Sequence, residues 1–214
     1  MNNKKYFWWS SPDAPESCNY IIPVILEILD QVSTRQSRIL DIGSGNGFLC
    51  SQLSQLGYEN IMGIEPDQRG FEISKINYPH IKFHNLGADA EPSDLIDSNK
   101  GWFDIVISTE VIEHVYSPAQ IPALAAKVLQ VDGYLIISTP YHGYVKNLAL
   151  AIANKWDFHH HPLVDGGHIK FWSINTLSRL LQTNGFEVIA FHGVGRFPFL
   201  WKSMILVSRK INLK

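Results

Sequence analysis

The chain has few cysteines, little net charge and no long apolar run. Cys18 and Cys50 are the two cysteines among 214 residues, which excludes a disulfide framework and indicates reduced thiols in a cytoplasmic setting. The formal net charge of −2 gives no general attraction for nucleic acid. The longest apolar run, near 148–153, is too short to cross a bilayer. The aromatic segment 6–12 lacks the apolar core of a signal peptide. We therefore expect a soluble, cytoplasmic protein, with nucleic acid disfavoured as its partner.

Segments with strand and helix patterns alternate along most of the chain, and no internal repeat interrupts them. This alternation predicts the α/β class, with a doubly wound, mostly parallel sheet and helices on both faces. A length of 214 residues suits one domain, 1–214. Within it, 1–36 would hold an aromatic segment and a helix. The 141–172 stretch breaks the alternation and is rich in histidine, asparagine and aromatic residues, so we expect an insertion or lid there.

The apolar pattern also predicts the bounds of each element. Strands are expected at 38–42, 61–65, 81–86, 103–108, 134–138, 186–191 and 201–207, and helices at 21–32, 48–56, 67–78, 119–129 and 177–184. The 103–108 strand is apolar almost throughout, which is typical of a central parallel strand buried on both faces. Gly57 and Gly185 would end the helices that precede them.

The first predicted strand leads into a turn with three glycines. Arg38–Ile42 is followed by Gly43, Gly45 and Gly47, and glycine lets a backbone turn sharply and a ligand come close where a strand passes to a helix. A dinucleotide loop requires Gly-x-Gly-x-x-Gly, and here the third glycine comes one residue early. Asp41 at the strand end would repel a diphosphate but attract an ammonium or sulfonium group. S-adenosylmethionine carries both cations.

The string DIGSGNG resembles the first motif of class I S-adenosylmethionine-dependent methyltransferases. The resemblance implies S-adenosylmethionine as cofactor and a Rossmann-like sheet of seven strands, mostly parallel with one antiparallel strand. Glu65 stands where carboxylates of doubly wound folds accept hydrogen bonds from ribose hydroxyls. Asp89 would accept one from the adenine amino group, although a solvated loop aspartate fits the same sequence. The residues expected at the cofactor are Asp41, Gly43, Ser44, Gly45, Asn46, Gly47, Phe48, Glu65, Pro66, Asp67, Asp89, Ala90 and Thr109.

A second cluster follows the fourth strand, beside the expected position of the transferable methyl group. Glu110, Glu113 and His114 have i, i+3 and i+4 spacing, which on a helical turn brings side chains to one side. They would bind a hard divalent cation, or a carboxylate would orient His114 as a general base, or their role would be structural. The string resembles segments of ubiquinone-pathway O-methyltransferases and small-RNA 2′-O-methyltransferases, in which Glu-x-x-Glu-His can supply metal ligands. The same resemblance adds His168 as a fourth ligand or as the base.

Aromatic residues and histidines fill the predicted insertion. Trp156, Phe171 and Trp172, together with Tyr6–Trp9, would either form a lid over an apolar or planar acceptor or pack on the sheet. The run His159–His161 is expected in an exposed loop.

The expected activity is methyl transfer from S-adenosylmethionine to a hydroxyl of a small molecule, with His114 and His168 as catalytic residues. The alternatives are a metal-assisted RNA 2′-O-methyltransferase and a cofactor-binding protein without turnover, with a dehydrogenase as a more distant one. An RNA enzyme needs lysine or arginine near its pocket, and the insertion offers Lys146, Lys155 and Lys170. Nitrogen and carbon acceptors, metal binding and the oligomeric state stay open.

Overall fold

The computed structural model describes residues 9–96, 102–160 and 162–211. Its strands are β1 (Arg38–Ile42), β2 (Asn60–Ile64), β3 (Lys82–His84), β4 (Phe103–Thr109), β5 (Leu129–Pro140), β6 (Phe186–Val194) and β7 (Ser203–Lys210). Its α-helices are α1 (Cys18–Val32), α2 (Phe48–Gln55), α3 (Gln68–Asn77), α4 (Gln120–Val128), α5 (Tyr144–Ile152), α6 (Trp156–His160) and α7 (Ile174–Thr183). A 3₁₀ turn lies at Pro92–Asp94.

The strands form one sheet in the order β3-β2-β1-β4-β5-β7-β6. β7 is antiparallel to both of its neighbours, and the other strand pairs are parallel. This confirms the predicted seven-stranded sheet with one antiparallel strand. The strand order reverses between β1 and β4, and doubly wound folds bind ligands at the carboxyl ends of the strands at such a point. The expected site therefore lies just beyond Ile42 and Thr109.

Apolar side chains of the central strands pack on both faces of the sheet. Ile39 and Ile105 belong to a core that α1 and α2 cover, whereas Leu40 and Val106 belong to a core that α4 and α7 cover. Successive residues of a strand point to opposite faces, so both faces of β1 and β4 are covered and these strands are apolar. The predicted placement of helices on both faces is confirmed.

The fifth strand is longer than predicted. β5 begins at Leu129, directly after α4, whereas the predicted strand began at Tyr134. Leu129 pairs with Phe103, and the ladder then shifts before Tyr134 pairs with Ile105. Asp132, with φ of 63°, lies in this irregular stretch. The polar residues here thus belong to a bulged strand and not to a connection.

The 141–172 insertion contains α5 and α6, two helices that the sequence did not predict. Its ends are joined, because Tyr141 forms a β-bridge with Trp172 and the His142 N–H donates to Trp172 O at 3.1 Å. The last strand also differs from the prediction, since β7 begins at Ser203 and continues to Lys210. Across the described ranges, we find no helix with both the length and the apolar character that crossing a membrane requires.

Candidate active site

A cavity of about 1000 Å³ lies at the carboxyl ends of β1, β2 and β4. Its wall includes most of the predicted cofactor residues and both predicted catalytic histidines, and residues from 9–18 also line it. The predicted residues in the wall are Asp41, Gly43, Ser44, Asn46, Phe48, Glu65, Pro66, Asp67, Thr109, His114 and His168. The fold thus brings the two predicted clusters into one cavity.

The glycine turn shapes one end of the cavity through its backbone. The N–H groups of Gly43 and Ser44 both donate to Ile64 O at 2.9 Å, which ties the turn to the end of β2. Gly43 has φ of 78°, a left-handed conformation that favours glycine. A Cβ at this position would lie 2.9 Å from Val111 Cγ1. Both its conformation and its surroundings therefore require glycine at position 43.

Asp41 is buried at the end of β1, and one of its carboxylate oxygens has no partner. The Cys50 thiol donates to Oδ2 at 3.4 Å, whereas Oδ1 has no hydrogen-bond partner. Burial raises the pKa of Asp41 to about 7, because desolvation destabilises a carboxylate. Ser44 Oγ is likewise buried without a partner. These oxygens suit a ligand that carries N–H groups or positive charge.

Glu65 lies one residue beyond β2 and is held by two backbone amides. The Gly45 N–H donates to Oε2 at 2.7 Å, and the Asp67 N–H donates to Oε1 at 2.8 Å. The Asp67 carboxylate in turn caps α3 by accepting from the Gly70 N–H at 2.8 Å. Each carboxylate oxygen has two lone pairs, so Glu65 retains acceptor capacity for hydroxyl groups. Burial raises the pKa of Glu65 above its ordinary value.

The remaining predicted cofactor residues lie outside the cavity wall. A Cβ at Gly45 would contact the Trp9 indole, and one at Gly47 would contact side chains that include Phe83. Asp89 is exposed, and neither it nor Ala90 lines the cavity. A role of Asp89 toward adenine stays a prediction.

The second predicted cluster does not form a helical turn as expected. Glu110 has φ of 53°, a conformation uncommon for a residue with a side chain, and a single turn over 112–114 follows it. The hydroxyls of Ser138 and Ser203 donate to its two carboxylate oxygens, each at 3.0 Å. Burial raises the pKa of Glu110 to about 7. Its carboxylate is thus held by serines and does not join the group described next.

Glu113, His114 and His168 each offer a ligand atom, and these atoms lie within 4.8 Å of one another. The Thr139 hydroxyl donates to Glu113 Oε2 at 3.0 Å. Glu113 Oε1 is buried without a hydrogen bond and lies 3.9 Å from His114 Nε2. His114 Nδ1 is 2.9 Å from Gly166 O, and a carbonyl only accepts, so Nδ1 carries the hydrogen. In a neutral ring, Nε2 then carries the lone pair.

This group suits two kinds of chemistry. Burial, with the nearby charge of Glu110, raises the pKa of Glu113 well above its ordinary value. The raised pKa favours a proton on Glu113, beside His114 Nε2, and such a carboxyl–imidazole pair suits general acid–base catalysis. A divalent cation bound by Glu113, His114 and His168 would instead keep Glu113 ionised.

The chain matches a family of known enzymes over most of its length. The family described as "Methyltransferase domain" matches residues 18–190. The chain belongs to this methyltransferase family. The predicted class, a class I S-adenosylmethionine-dependent methyltransferase, is confirmed, and the dehydrogenase alternative is set aside.

Relatives of this methyltransferase share most of its length. The ubiquinone biosynthesis O-methyltransferase of Neisseria meningitidis serogroup C is 27% identical over 187 residues, which cover 85% of this chain and 77% of the relative. The protein of the same name from Bradyrhizobium diazoefficiens is 31% identical over 184 residues, covering 82% and 68%. The crystal structure of magnesium protoporphyrin IX methyltransferase from Synechocystis PCC 6803 with bound SAH has a TM-score of 0.67 at 16% identity, covering 88% and 81%.

The hydroxyl groups that hold the two glutamates of the methyltransferase were not predicted. Ser138 lies opposite Thr109 in the parallel ladder of β4 and β5, so the ends of these strands meet. The sequence signal was a pair of hydroxyl residues, Ser138 and Thr139, at the end of an apolar strand. Ser203 gave no such signal, because β7 joins the sheet from a distant part of the chain.

Lys146 is a further residue that the sequence did not identify as part of the site's framework. Its buried Nζ donates to Tyr141 O at 2.8 Å and to Lys202 O at 3.3 Å. Burial lowers the pKa of Lys146 to about 8. Lys146 thus fastens α5 of the insertion to the end of β5 and the start of β7.

Of the two expectations for the insertion aromatics of the methyltransferase, packing describes their positions, because Trp156, Phe171 and Trp172 do not line the cavity. Phe171 and His160 pack on His142, with ring centroids 5.0 and 5.5 Å away, and Trp156 lies 4.3 Å from His160. Burial lowers the pKa of His142 to about 3, so this ring packs as a neutral aromatic. Trp156, Phe171 and Trp172 are absent from the cavity wall formed by the described residues. Trp156 and Phe171 belong to a ring cluster around His160, whereas Trp172 packs against the core on one face of the sheet.

The N-terminal aromatic run is described from Trp9 onward, and Tyr6–Trp8 lie outside the described residues, as does His161. His159 and His160 lie on α6 and are partly buried, not in an exposed loop. Trp9 does line the cavity. Its indole lies against the glycine turn at Gly45.

Proposed function

We propose that this methyltransferase transfers the methyl group of S-adenosylmethionine to a hydroxyl oxygen of a small molecule. The observation that carries this proposal is the presence of His114, with its neighbour Glu113, in the same cavity as the carboxylates of Asp41 and Glu65. A hydroxyl is a weak nucleophile until a base takes its proton, so an oxygen acceptor requires such a group beside the cofactor.

The cofactor end of the cavity fits the charges of S-adenosylmethionine. Asp41 Oδ1 and Ser44 Oγ are buried acceptors without partners, and they suit the cationic methionine part of the cofactor. Glu65 suits the ribose hydroxyls through its remaining lone pairs. When bound, the cofactor supplies the methyl group, which passes to the acceptor oxygen as the carbon–sulfur bond breaks.

His114 is the proposed general base. Its Nδ1–H donates to Gly166 O, which fixes the tautomer and leaves Nε2 as the proton acceptor. Glu113 Oε1 lies 3.9 Å from Nε2, so the ionised form of Glu113 would stabilise the imidazolium that forms. His168 lies beside His114, with ring centroids 4.9 Å apart, and would orient the acceptor hydroxyl or take its proton in turn. The chain otherwise contributes by aligning the acceptor with the methyl group.

Two observations favour a small acceptor over RNA. The described residues of the cavity wall include neither lysine nor arginine, although phosphate binding requires such side chains. Of the three insertion lysines, Lys146 is buried against backbone carbonyls and Lys170 lies over the Tyr116 ring. Relatives named ubiquinone biosynthesis O-methyltransferase support oxygen as the acceptor atom.

A metal-assisted version of the same reaction is the second candidate. The ligand atoms of Glu113, His114 and His168 lie close enough to share one cation, and Glu113 Oε1 is an acceptor without a partner. A divalent cation there would lower the pKa of an acceptor hydroxyl. Loss of activity in EDTA, restored by Mg²⁺ or Mn²⁺, supports this version. Full activity in EDTA overturns it.

The acceptor class is tested by incubating the enzyme with methyl-labelled S-adenosylmethionine and separate small-molecule, RNA and protein fractions of a cell extract. We expect label in small molecules, as methyl ethers by mass spectrometry. Label confined to the RNA or protein fraction, or carried on nitrogen, would contradict the proposal.

A further inference from the structure

The segment that precedes α1 crosses the cavity at its cofactor end. We call residues Trp9–Ser17 the strap. The Asn46 amide donates to Ser11 O at 2.9 Å and to Asp13 O at 2.8 Å, so a residue of the glycine turn holds the strap down. Lys202 Nζ pairs with the Glu16 carboxylate at 2.8 Å. The cavity is therefore bounded on one side by a chain segment without helix or strand structure.

The Trp9 indole lies directly on the glycine turn. A Cβ at Gly45 would lie 2.9 Å from indole Cε2 and still closer to Cζ2 and Cη2, and a Cβ at Gly70 would lie 2.7 Å from Cδ1. The ring therefore spans from the turn to the first turn of α3. The Gly70 Cβ position is also 3.2 Å from Glu65 Cγ, so the indole is adjacent to the glutamate that suits the ribose hydroxyls.

The second glycine of such a turn leaves room for a ligand to approach the backbone. In this structure, the Trp9 indole fills the space above Gly45, the second glycine of the turn. We propose that the strap is a lid on the cofactor site. The indole leaves Gly45 when S-adenosylmethionine enters, and the strap then closes again beside the bound cofactor. This inference rests on the proposed cofactor site.

The bonds of the strap suit repeated opening. Its hydrogen bonds to the rest of the chain include two from the Asn46 amide and a long one, 3.5 Å, from the Tyr78 hydroxyl to Pro12 O. The carboxylate of the Glu16–Lys202 pair is largely exposed, at 83%, where an ion pair contributes little. By contrast, α1 buries Ile21, Ile25 and Leu29 in the core. The movable part thus ends at Ser17, where the anchored helix begins.

Binding rates of S-adenosylhomocysteine test the lid, measured by surface plasmon resonance on the whole chain. We expect Trp9→Ala to raise both the association and the dissociation rate, each by about tenfold, which corresponds to about 1.4 kcal/mol of barrier. Trp102→Ala is the matched control, because Trp102 is exposed and precedes β4 at the opposite end of the sheet. A rise in the dissociation rate alone would show that Trp9 only contacts the bound ligand and does not move, which overturns the lid. Unchanged rates would overturn it as well.

Acrylamide quenching provides the second readout, with the contribution of Trp9 taken as the difference between wild type and Trp9→Phe. We expect S-adenosylhomocysteine to increase quenching of this indole, and Gly70→Ala to increase it before ligand is added, because the new Cβ would displace Cδ1. If bound ligand leaves the quenching of the Trp9 indole unchanged, the lid is overturned. If wild type binds no ligand, the proposed function fails instead, while Gly70→Ala still reports whether Trp9 lies against α3.

Discussion

The two ends of the cavity are built in different ways. At the cofactor end, the backbone sets the shape: Gly43 has a left-handed φ of 78° and the turn bonds to Ile64 O. At the other end, where we propose that the acceptor binds beside His114, side chains determine the shape. We call it the acceptor end: there Glu110 is held by serines of β5 and β7, and Glu113 by Thr139. The first construction is centred on one continuous segment, 41–47, which is tied to the end of β2, whereas the second brings together side chains from several distant segments.

This difference determines what each end tolerates. A backbone turn depends on residues that fit a conformation, so substitutions there cause strain. A network of buried side chains depends on complete hydrogen bonding, so a lost partner leaves a polar group unsatisfied. Substitutions at the two ends should therefore separate cofactor binding from methyl transfer.

The largest expected effect is at the acceptor end. We expect His114→Ala to lower kcat by about 10²–10⁴-fold, the usual contribution of a general base. The KM for S-adenosylmethionine should change by less than about twofold, since the ring acts on the acceptor. Steady-state kinetics of methyl transfer measures both. His192→Ala, on the edge strand β6, is the control and should retain wild-type kcat. A normal kcat in His114→Ala would show that His114 is not the general base.

At the cofactor end, Gly43→Ala should cost about 2–4 kcal/mol of unfolding free energy, from left-handed strain and overlap with Val111. Cofactor affinity should fall with it. Gly57→Ala is the matched control, because Gly57 has φ of 90° with nothing within 4 Å of a Cβ, so about 1 kcal/mol of strain alone is expected. Urea denaturation and calorimetry measure both quantities. Equal losses in the two variants would mean that contact with Val111 is unimportant.

The carboxylate of Asp41 should make cofactor binding pH-dependent. Its pKa is raised in the folded state to about 7, so the folded chain holds a proton that the unfolded chain has lost. The stability contributed by Asp41 is therefore present at acid pH and falls as pH rises from about 4 to about 7. A cationic cofactor needs the ionised form, so its affinity should weaken by up to about tenfold per pH unit below 7. In calorimetric titrations, Asp41→Asn should abolish this dependence of cofactor affinity on pH. An unchanged pH dependence would show that another group causes it.

The smallest expected effect separates two serines of β7. Ser203→Ala removes a hydrogen bond to buried Glu110 and should cost about 1–3 kcal/mol, with a fall in kcat because Glu110 adjoins Glu113. Ser208→Ala removes a bond to Leu135 O and should lower stability by about 1 kcal/mol without changing kcat. Thermal unfolding and kinetics on both variants measure the difference. A kcat loss in Ser208→Ala alone would contradict this division.

The sequence predicted the cofactor end better than the acceptor end for a physical reason. Asp41 and the glycine turn lie within one continuous segment, and local preferences determine its conformation. Helical spacing misplaced Glu110, because Ser138 and Ser203 hold it in a left-handed conformation. That conformation depends on contacts between strands, which spacing along the chain does not encode.

The aromatic residues illustrate the same limit. The aromatic run that includes Trp9 was expected to cover the acceptor or to pack on the sheet, and its position at the glycine turn instead follows from the path of the strap. That path is set by bonds between Asn46 and the carbonyls of Ser11 and Asp13. Every residue has a backbone carbonyl, so the sequence does not show which carbonyls accept these bonds. The contact of Trp9 with Gly45 was therefore not predictable.

The most direct test of the central claim is calorimetric titration of S-adenosylmethionine into wild type, Asp41→Ala and Glu65→Ala. We expect binding to wild type and a loss of about tenfold or more in each variant, as for the loss of a hydrogen bond to a charged group. Undiminished affinity in both variants would contradict the assignment of the cofactor to the ends of β1 and β2.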